Sequence, residues 1–290
     1  MRATLSLLLI LLLAVSSTAW GPKGHFIVNR LAIEASASRL PSFMKAATND
    51  LVYNALEPDR WREDANSPMN IAQAPDHFFD SEYWGPMSTI PTDRYAFMSQ
   101  LGAKKLDLIK VGYLPYAIIE EYGRLRNAFR NFRNAKNAAD RESARANAVH
   151  YAGILGHYVA DGSMPMHLSV HFSGWADGYS NPRAFTKDRM FHARYETAYV
   201  DAAINAASVK AKVEAPQRLT DVFGAVKNHL SRAYSELEPI YEMEKTGEFN
   251  PQAPRAKGTE VITNELARGV TMLGNLWYTA WIESGEPPAP

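Results

Sequence analysis

Histidines and carboxylates recur in this chain at spacings suited to holding a metal ion. In the run His157-Tyr158-Val159-Ala160-Asp161-Gly162-Ser163-Met164-Pro165-Met166-His167, the first imidazole and the carboxylate stand four residues apart. A helix would place both on one face, one turn from each other. Gly162 ends such a helix, Pro165 keeps the chain extended, and His167 returns from the loop. Two imidazoles and a carboxylate suit borderline divalent ions, zinc above all. An isolated His-x3-Asp pair is more often structural than metal-binding, so its company decides.

That company is extensive. His192 and Glu196 repeat the four-residue spacing in Phe191-His192-Ala193-Arg194-Tyr195-Glu196. His77 lies in Pro75-Asp76-His77-Phe78-Phe79-Asp80, downstream of Pro58-Asp59-Arg60-Trp61-Arg62. His25 stands near the N-terminus. Of the other histidines, His150 has no acid nearby, and His171 and His229 read as surface residues or as supports to the site. The chain has no Cys, so a zinc site here must be built from nitrogen and oxygen.

The N-terminus has the form of an export signal. Arg2 precedes an apolar run from Leu5 to Val15, then Ser16-Ser17-Thr18-Ala19. Small residues stand at the −3 and −1 positions of a cut between Ala19 and Trp20. The run is too short to span a bilayer as a helix. Residues 1–19 are therefore expected to be a signal peptide, with a secreted or periplasmic mature chain and no transmembrane anchor. Formal net charge is zero, so no basic field points to a polyanion partner, although bound divalent ions would add local positive charge.

The elements that must position these residues are expected to be helices. Helical spacing runs through 24–38, 93–109, 113–133, 141–161, 188–207, 219–241 and 259–282, with Asp93 and Asp188 as candidate caps. Sustained alternation is weak, which argues against strands. The segments 57–84 and 171–183 read as loops, and 127–146 as a solvated connection between helices. One all-α domain over 20–283, a helical bundle with a flexible tail over 284–290, is the expectation.

Over nearly all of its mature length the chain resembles the zinc-dependent phospholipase C enzymes of bacteria and the related single-strand-specific zinc nucleases. That resemblance implies a helical fold with three zinc ions in a cleft, and a mature N-terminal Trp whose amine and carbonyl bind metal. The matching positions here are Trp20, His25, Asp59, His77, His157, Asp161, His167, His192 and Glu196. Asp64 competes with Asp59, which is favoured by its Asp-Arg-Trp-Arg setting. By resemblance, one zinc takes Asp59, His77, His157 and Asp161, a second His167, His192 and Glu196, and a third Trp20, His25 and the other oxygen of Asp161. Water activated by the zincs would attack phosphorus in line, with Asp59 as orienter or general base. Arg60 or Arg62 could neutralise phosphate, or could equally form structural ion pairs.

The substrate class divides. Glu196 rather than Asp in the last pair, the stretch His25-Phe26-Ile27-Val28-Asn29-Arg30 and the lack of Cys favour a phospholipase acting on lipid phosphodiesters, with peripheral membrane contact. The short Trp20-Gly21-Pro22-Lys23-Gly24-His25 segment has the nuclease spacing and lacks the acid that phospholipases use for choline. A single-strand-specific nuclease or nucleotidase is the alternative, and a non-catalytic zinc-binding module a second one. Tyr83, Trp84, Trp175 and Tyr179 are candidates to flank the cleft, whereas Trp277 and Trp281 have core spacing.

Overall fold

The computed structural model describes residues 20–286. The expected signal peptide, 1–19, and the end of the expected tail, 287–290, lie outside the described residues. The fold is all-α, as the periodicity predicts: among the described residues no strand forms, and one isolated bridge joins Phe172 to Gly174.

Four long helices pack on one another: Gly21–Ser36, Leu114–Asn134, Ala138–Asp161 and Ala256–Glu283. The Leu114–Asn134 helix starts with Pro115 in its first turn, where the missing N–H costs nothing. It buries Leu114, Ile118, Tyr122, Leu125 and Phe129, a stripe three to four residues apart. The Ala138–Asp161 helix is different. From Ala152 onward every residue to Asp161 is buried, so this half lies inside the bundle, and apart from His157, Tyr158 and Asp161 it is apolar or small.

Two glycines set how close its neighbours come. A Cβ at Gly156 would lie 1.7 Å from Asn29 Oδ1, and one at Gly153 would lie 2.4 Å from the Asn54 Cβ. The space is filled by Asn29, buried, whose Nδ2 donates to the Leu51 carbonyl at 2.7 Å and to that of Gly153 at 3.0 Å. One amide thus ties three helices together, one turn after His25 and beside His157.

The structure departs from the sequence reading in several places. The segment 127–146 is no solvated connection: the two helices continue to Asn134 and restart at Ala138, leaving 135–137 as the link. Asn137 caps the second helix by accepting from the Asp140 amide at 2.8 Å. The expected loop 57–84 contains short helical turns, among them Glu57–Arg60, Pro68–Gln73 and Ala74–His77. The 219–241 element breaks into Val222–Tyr234 and Leu237–Lys245. Asp93 does cap its helix, accepting from the Ala96 amide at 2.6 Å. Asp188 instead accepts from the Met190 amide at 2.9 Å, ahead of a helix that starts at Phe191. Ser284, expected in the tail, is buried and accepts from Arg133 Nε at 2.8 Å.

Candidate metal centre

The central helix ends at Asp161 and delivers His157 and Asp161 from adjacent turns. The Gly21–Ser36 helix brings His25 alongside, its ring stacked on that of His157 at 4.2 Å between centroids. Asp59 comes from the Glu57–Arg60 turn and His77 from the end of the Ala74–His77 turn. His167 sits on the 3₁₀ turn Pro165–Leu168. His192 and Glu196 share one helical run, and its Arg194–Tyr199 stretch is a π-helix. Such insertions widen a turn and recur at functional sites.

These side chains fall into three groups whose donor atoms could share an ion: His25, His157 and Asp161; Asp59, His77 and His157; His167, His192 and Glu196. Asp161 lies at the junction. Its Oδ2 is 3.1 Å from His77 Nδ1 and 3.2 Å from His157 Nε2, while its Oδ1 is 3.5 Å from His25 Nε2. Asp59 Oδ1 is 3.9 Å from both His77 Nδ1 and His157 Nε2. In the third group, Glu196 Oε2 is 2.8 Å from His192 Nε2 and 3.9 Å from His167 Nε2. Two donors about 2.1 Å from one tetrahedral ion stand roughly 3.4 Å apart, so these separations fit shared coordination.

The hydrogen bonds around the rings fix which nitrogens are free. His157 Nδ1 donates to the Ala55 carbonyl at 2.7 Å, and His167 Nδ1 to the His77 carbonyl at 2.8 Å. A carbonyl can only accept, so each ring, when neutral, presents Nε2 as a lone pair, the arrangement seen when backbone supports orient a metal-binding imidazole. Asp59 Oδ2, Asp161 Oδ1 and His192 Nδ1 are buried without hydrogen-bond partners, while Glu196, whose Oε2 faces His192 Nε2 at 2.8 Å, takes a hydrogen bond from the Trp20 backbone. Orphaned buried acceptors are costly, and cations held by these groups would satisfy the carboxylate oxygens and one nitrogen of each imidazole.

Electrostatics tell the same story. Burial pushes the Asp59 carboxyl up to about 6 and raises that of Glu196 well above its ordinary range. Burial also lowers His77 to about 3 and His192 to about 4, and lowers His167. For His157 burial acts against the charged ring, but the Asp161 and Asp59 carboxylates outweigh it and raise its pKa. Asp161 is held well below the usual carboxylate range: burial opposes its charge, and His157 and the other imidazoles overcome that. The set is mainly neutral imidazoles facing carboxylates that lack sufficient positive charge.

Trp20 is wedged beneath this centre. It is fully buried, and its Nε1 donates to the Ala160 carbonyl at 2.8 Å and lies 3.2 Å from Ser163 Oγ. That anchor sets the Trp20 backbone against the Glu196 carboxylate, where it counters the upward shift of that group. The left-handed φ of 49° at Trp20 and Gly21 turns the chain into the helix at this point.

Other candidates separate. Asp64 is exposed, its Oδ1 accepting from the Asn66 amide at 3.1 Å in a local turn, so Asp59 is the acid that faces the imidazoles. Arg60 turns away, pairing with Glu57 at 2.6 Å and stacking on Tyr53. Arg62 stays beside Asp59, with Nη1 3.9 Å from Oδ1. His150 is exposed; His171 is buried, accepts from the Ala176 amide and stacks on Trp175 at 3.7 Å, a structural role. Trp84 and Trp175 are buried rather than open to a cleft, whereas Tyr179 is exposed. The sequence reading missed the second row: Asn29, the Ala55 carbonyl and Ser163. Only the i,i+4 relation of His25 and Asn29 could have signalled any of it.

No helix among the described residues is long and apolar enough to cross a membrane. No family model matches the chain, and no curated protein matches it. Among solved structures it is similar to the alpha toxin from Clostridium absonum, at 12% sequence identity and a TM-score of 0.50. The likeness covers 91% of this chain and 64% of the toxin chain, and it is one of fold.

Proposed function

We propose that this chain is an exported zinc-dependent phosphodiesterase, acting on phospholipid headgroup esters in the manner of a phospholipase C. The observation that carries the reading is the three largely buried groups of imidazoles and carboxylates, two of which share His157. Trp20, His25, Asp59, His77, His157, Asp161, His167, His192 and Glu196 would hold the metal, with Trp20 contributing its amine once the chain is cut after Ala19. Bound zinc supplies positive charge that polarises a phosphodiester and acidifies water.

The protein's own groups do the rest. The two Asp161 oxygens face different imidazoles, His25 on one side and His77 on the other, and would serve the ligand groups on both sides. The Ala55 and His77 carbonyls keep His157 and His167 in the tautomer that offers Nε2. Asp59 Oδ2, buried and without a hydrogen-bond partner, accepts the proton of the attacking water. Arg62, beside Asp59 on the less buried side of the cluster, pairs with the phosphate of the substrate.

Lipid rather than nucleic acid is favoured by the apolar residues that rim the ligand-bearing segments. Met69 and Ile71 are exposed on the Pro68–Gln73 helix that runs into His77. Leu108 and Ile109 are exposed between Lys105 and Lys110. Their loop is rooted on the same segment, Asp80 N donating to the Val111 carbonyl at 2.8 Å. Phe172, also exposed, meets the His192 ring at 6.2 Å. Exposed apolar side chains, with lysines flanking Leu108 and Ile109, suit a lipid surface. The nuclease reading draws on the first helical turn, which has no acid to meet a cationic headgroup.

The test is to assay protein starting at Trp20, loaded with zinc, on phosphatidylcholine vesicles and on single-stranded DNA. Release of phosphocholine with intact DNA supports the lipid reading. DNA cleavage with inert lipid assigns the site to the nuclease reading, and turnover of neither, nor of a generic phosphodiester, overturns catalysis.

A further inference from the structure

A second site lies away from the metal centre, in a groove of about 450 Å³ between the Val222–Tyr234 helix and the C-terminal helix. Asn264, Arg268, Thr271 and Asn275 line it at positions i, i+4, i+7 and i+11 of the C-terminal helix, a single face. Lys212 and Arg232 stand at its edges.

A polar helix face is usually just solvated, but here the acceptors are already taken. Asn264 Oδ1 accepts from Lys212 Nζ at 2.7 Å, Asn275 Oδ1 from the Gln217 amide at 2.7 Å, and Thr271 Oγ1 from the Glu214 amide at 3.2 Å. Backbone amides and an ammonium can only donate, so these bonds fix the orientation of both side-chain amides. On the C-terminal helix what remains for a ligand is the two NH₂ groups, the Thr271 hydroxyl proton and the Arg268 guanidinium, all donors; the Asn228 amide and the Glu214 carboxylate also line the groove.

Arg268 forms no ion pair among the described residues. The nearby carboxyl of Glu265 is buried and pushed up to about 8 by that burial, against the pull of Arg268, and forms no ion pair with it. Arg232 pairs with Glu236 at 3.0 Å, and the Glu214 carboxylate is the acid at the rim. His229 faces the Val159 carbonyl through Nε2 at 3.3 Å and so has its donor used within the fold.

We propose that this groove binds a small phosphate-type oxyanion, held by the Arg268 guanidinium and the donors of Asn264, Thr271 and Asn275. A planar fork beside neutral amide donors matches the oxygens of a tetrahedral anion. The proposal does not depend on the metal centre or on its substrate.

Isothermal titration of the zinc-loaded protein with inorganic phosphate tests it, together with tungstate soaked into crystals to locate the anion. Arg268→Gln is expected to weaken the groove step by about tenfold or more, the loss of roughly one charge-assisted contact. Asp161→Asn should leave that step unchanged. Lys212→Gln, a milder change at the rim, should show a smaller loss and guards against misfolding of the first variant. Tungstate should lie against Arg268. An Arg268→Gln protein that folds and binds phosphate like wild type, or tungstate found only among the histidines, overturns the proposal.

Discussion

At the scale of single residues, Asp161 carries the most. Its oxygens face His77 and His157 on one side and His25 on the other. Asp161→Asn keeps the shape and removes the charge, so it should lower metal content and reduce phosphodiester turnover by about a hundredfold or more. Full activity in that variant would remove Asp161 from the mechanism. Arg62→Gln should raise KM for a soluble phosphodiester several-fold with metal content unchanged; metal loss instead would make Arg62 a support of Asp59. Glu265 makes a different prediction. Burial raises its carboxyl to about 8, and it accepts from Tyr195 Oη at 2.6 Å. Its folded pKa exceeds the unfolded value of about 4.5, so its stabilising contribution is complete below about pH 4.5 and fades as pH rises toward 8. Glu265→Gln should therefore leave Tm unchanged at pH 4 and raise it by several degrees at pH 8, a gain worth a few kcal/mol. A pH-independent difference in Tm would contradict the assignment.

At the scale of elements, the site depends on how closely helices approach. Gly156 lets Asn29 sit against the central helix, and Asn29 shares its helix with His25. Gly156→Ala forces a Cβ onto that amide and should cost about 1–3 kcal/mol, visible as a lower denaturation midpoint, with weakened zinc retention because His25 is displaced from His157. Unchanged stability would mean that the helices part freely. The pairs His157–Asp161 and His192–Glu196 were legible because i,i+4 spacing on a helix is a local property. Their gathering with Asp59 and His77 was not readable from periodicity; it came from resemblance, because tertiary packing decides which loop meets which helix end. The solvated look of 127–146 misled for a related reason. Polar Asn, Arg and Ala residues suit an exposed helix face as well as a connection, and the break falls only at 135–137. The π-turn that carries Glu196 also leaves no periodic signature.

At the scale of the whole molecule, one buried cluster with more carboxylate than cation is held inside an otherwise apolar bundle. Such an arrangement is stable when ions occupy it, because ligands that bind only the folded state stabilise by mass action, about 2.7 kcal/mol at a hundredfold excess over Kd. Chelation should lower Tm by several degrees and zinc should restore it; a Tm indifferent to both would point to a purely structural cluster. The exposed apolar rim, read as facing lipid, makes a prediction at the same scale. Leu108→Ser with Ile109→Ser should reduce hydrolysis of lipid vesicles while sparing a soluble phosphodiester, and equal loss on both would place that loop in the fold rather than at a membrane. The central claim is that these side chains exist to hold metal for catalysis. It is tested most directly by counting zinc per chain in protein starting at Trp20, after exhaustive dialysis, alongside its turnover of a phosphodiester. About three ions are expected, one for each group of ligands, with activity lost and regained as they are removed and returned. Turnover that persists in protein stripped of metal would contradict it.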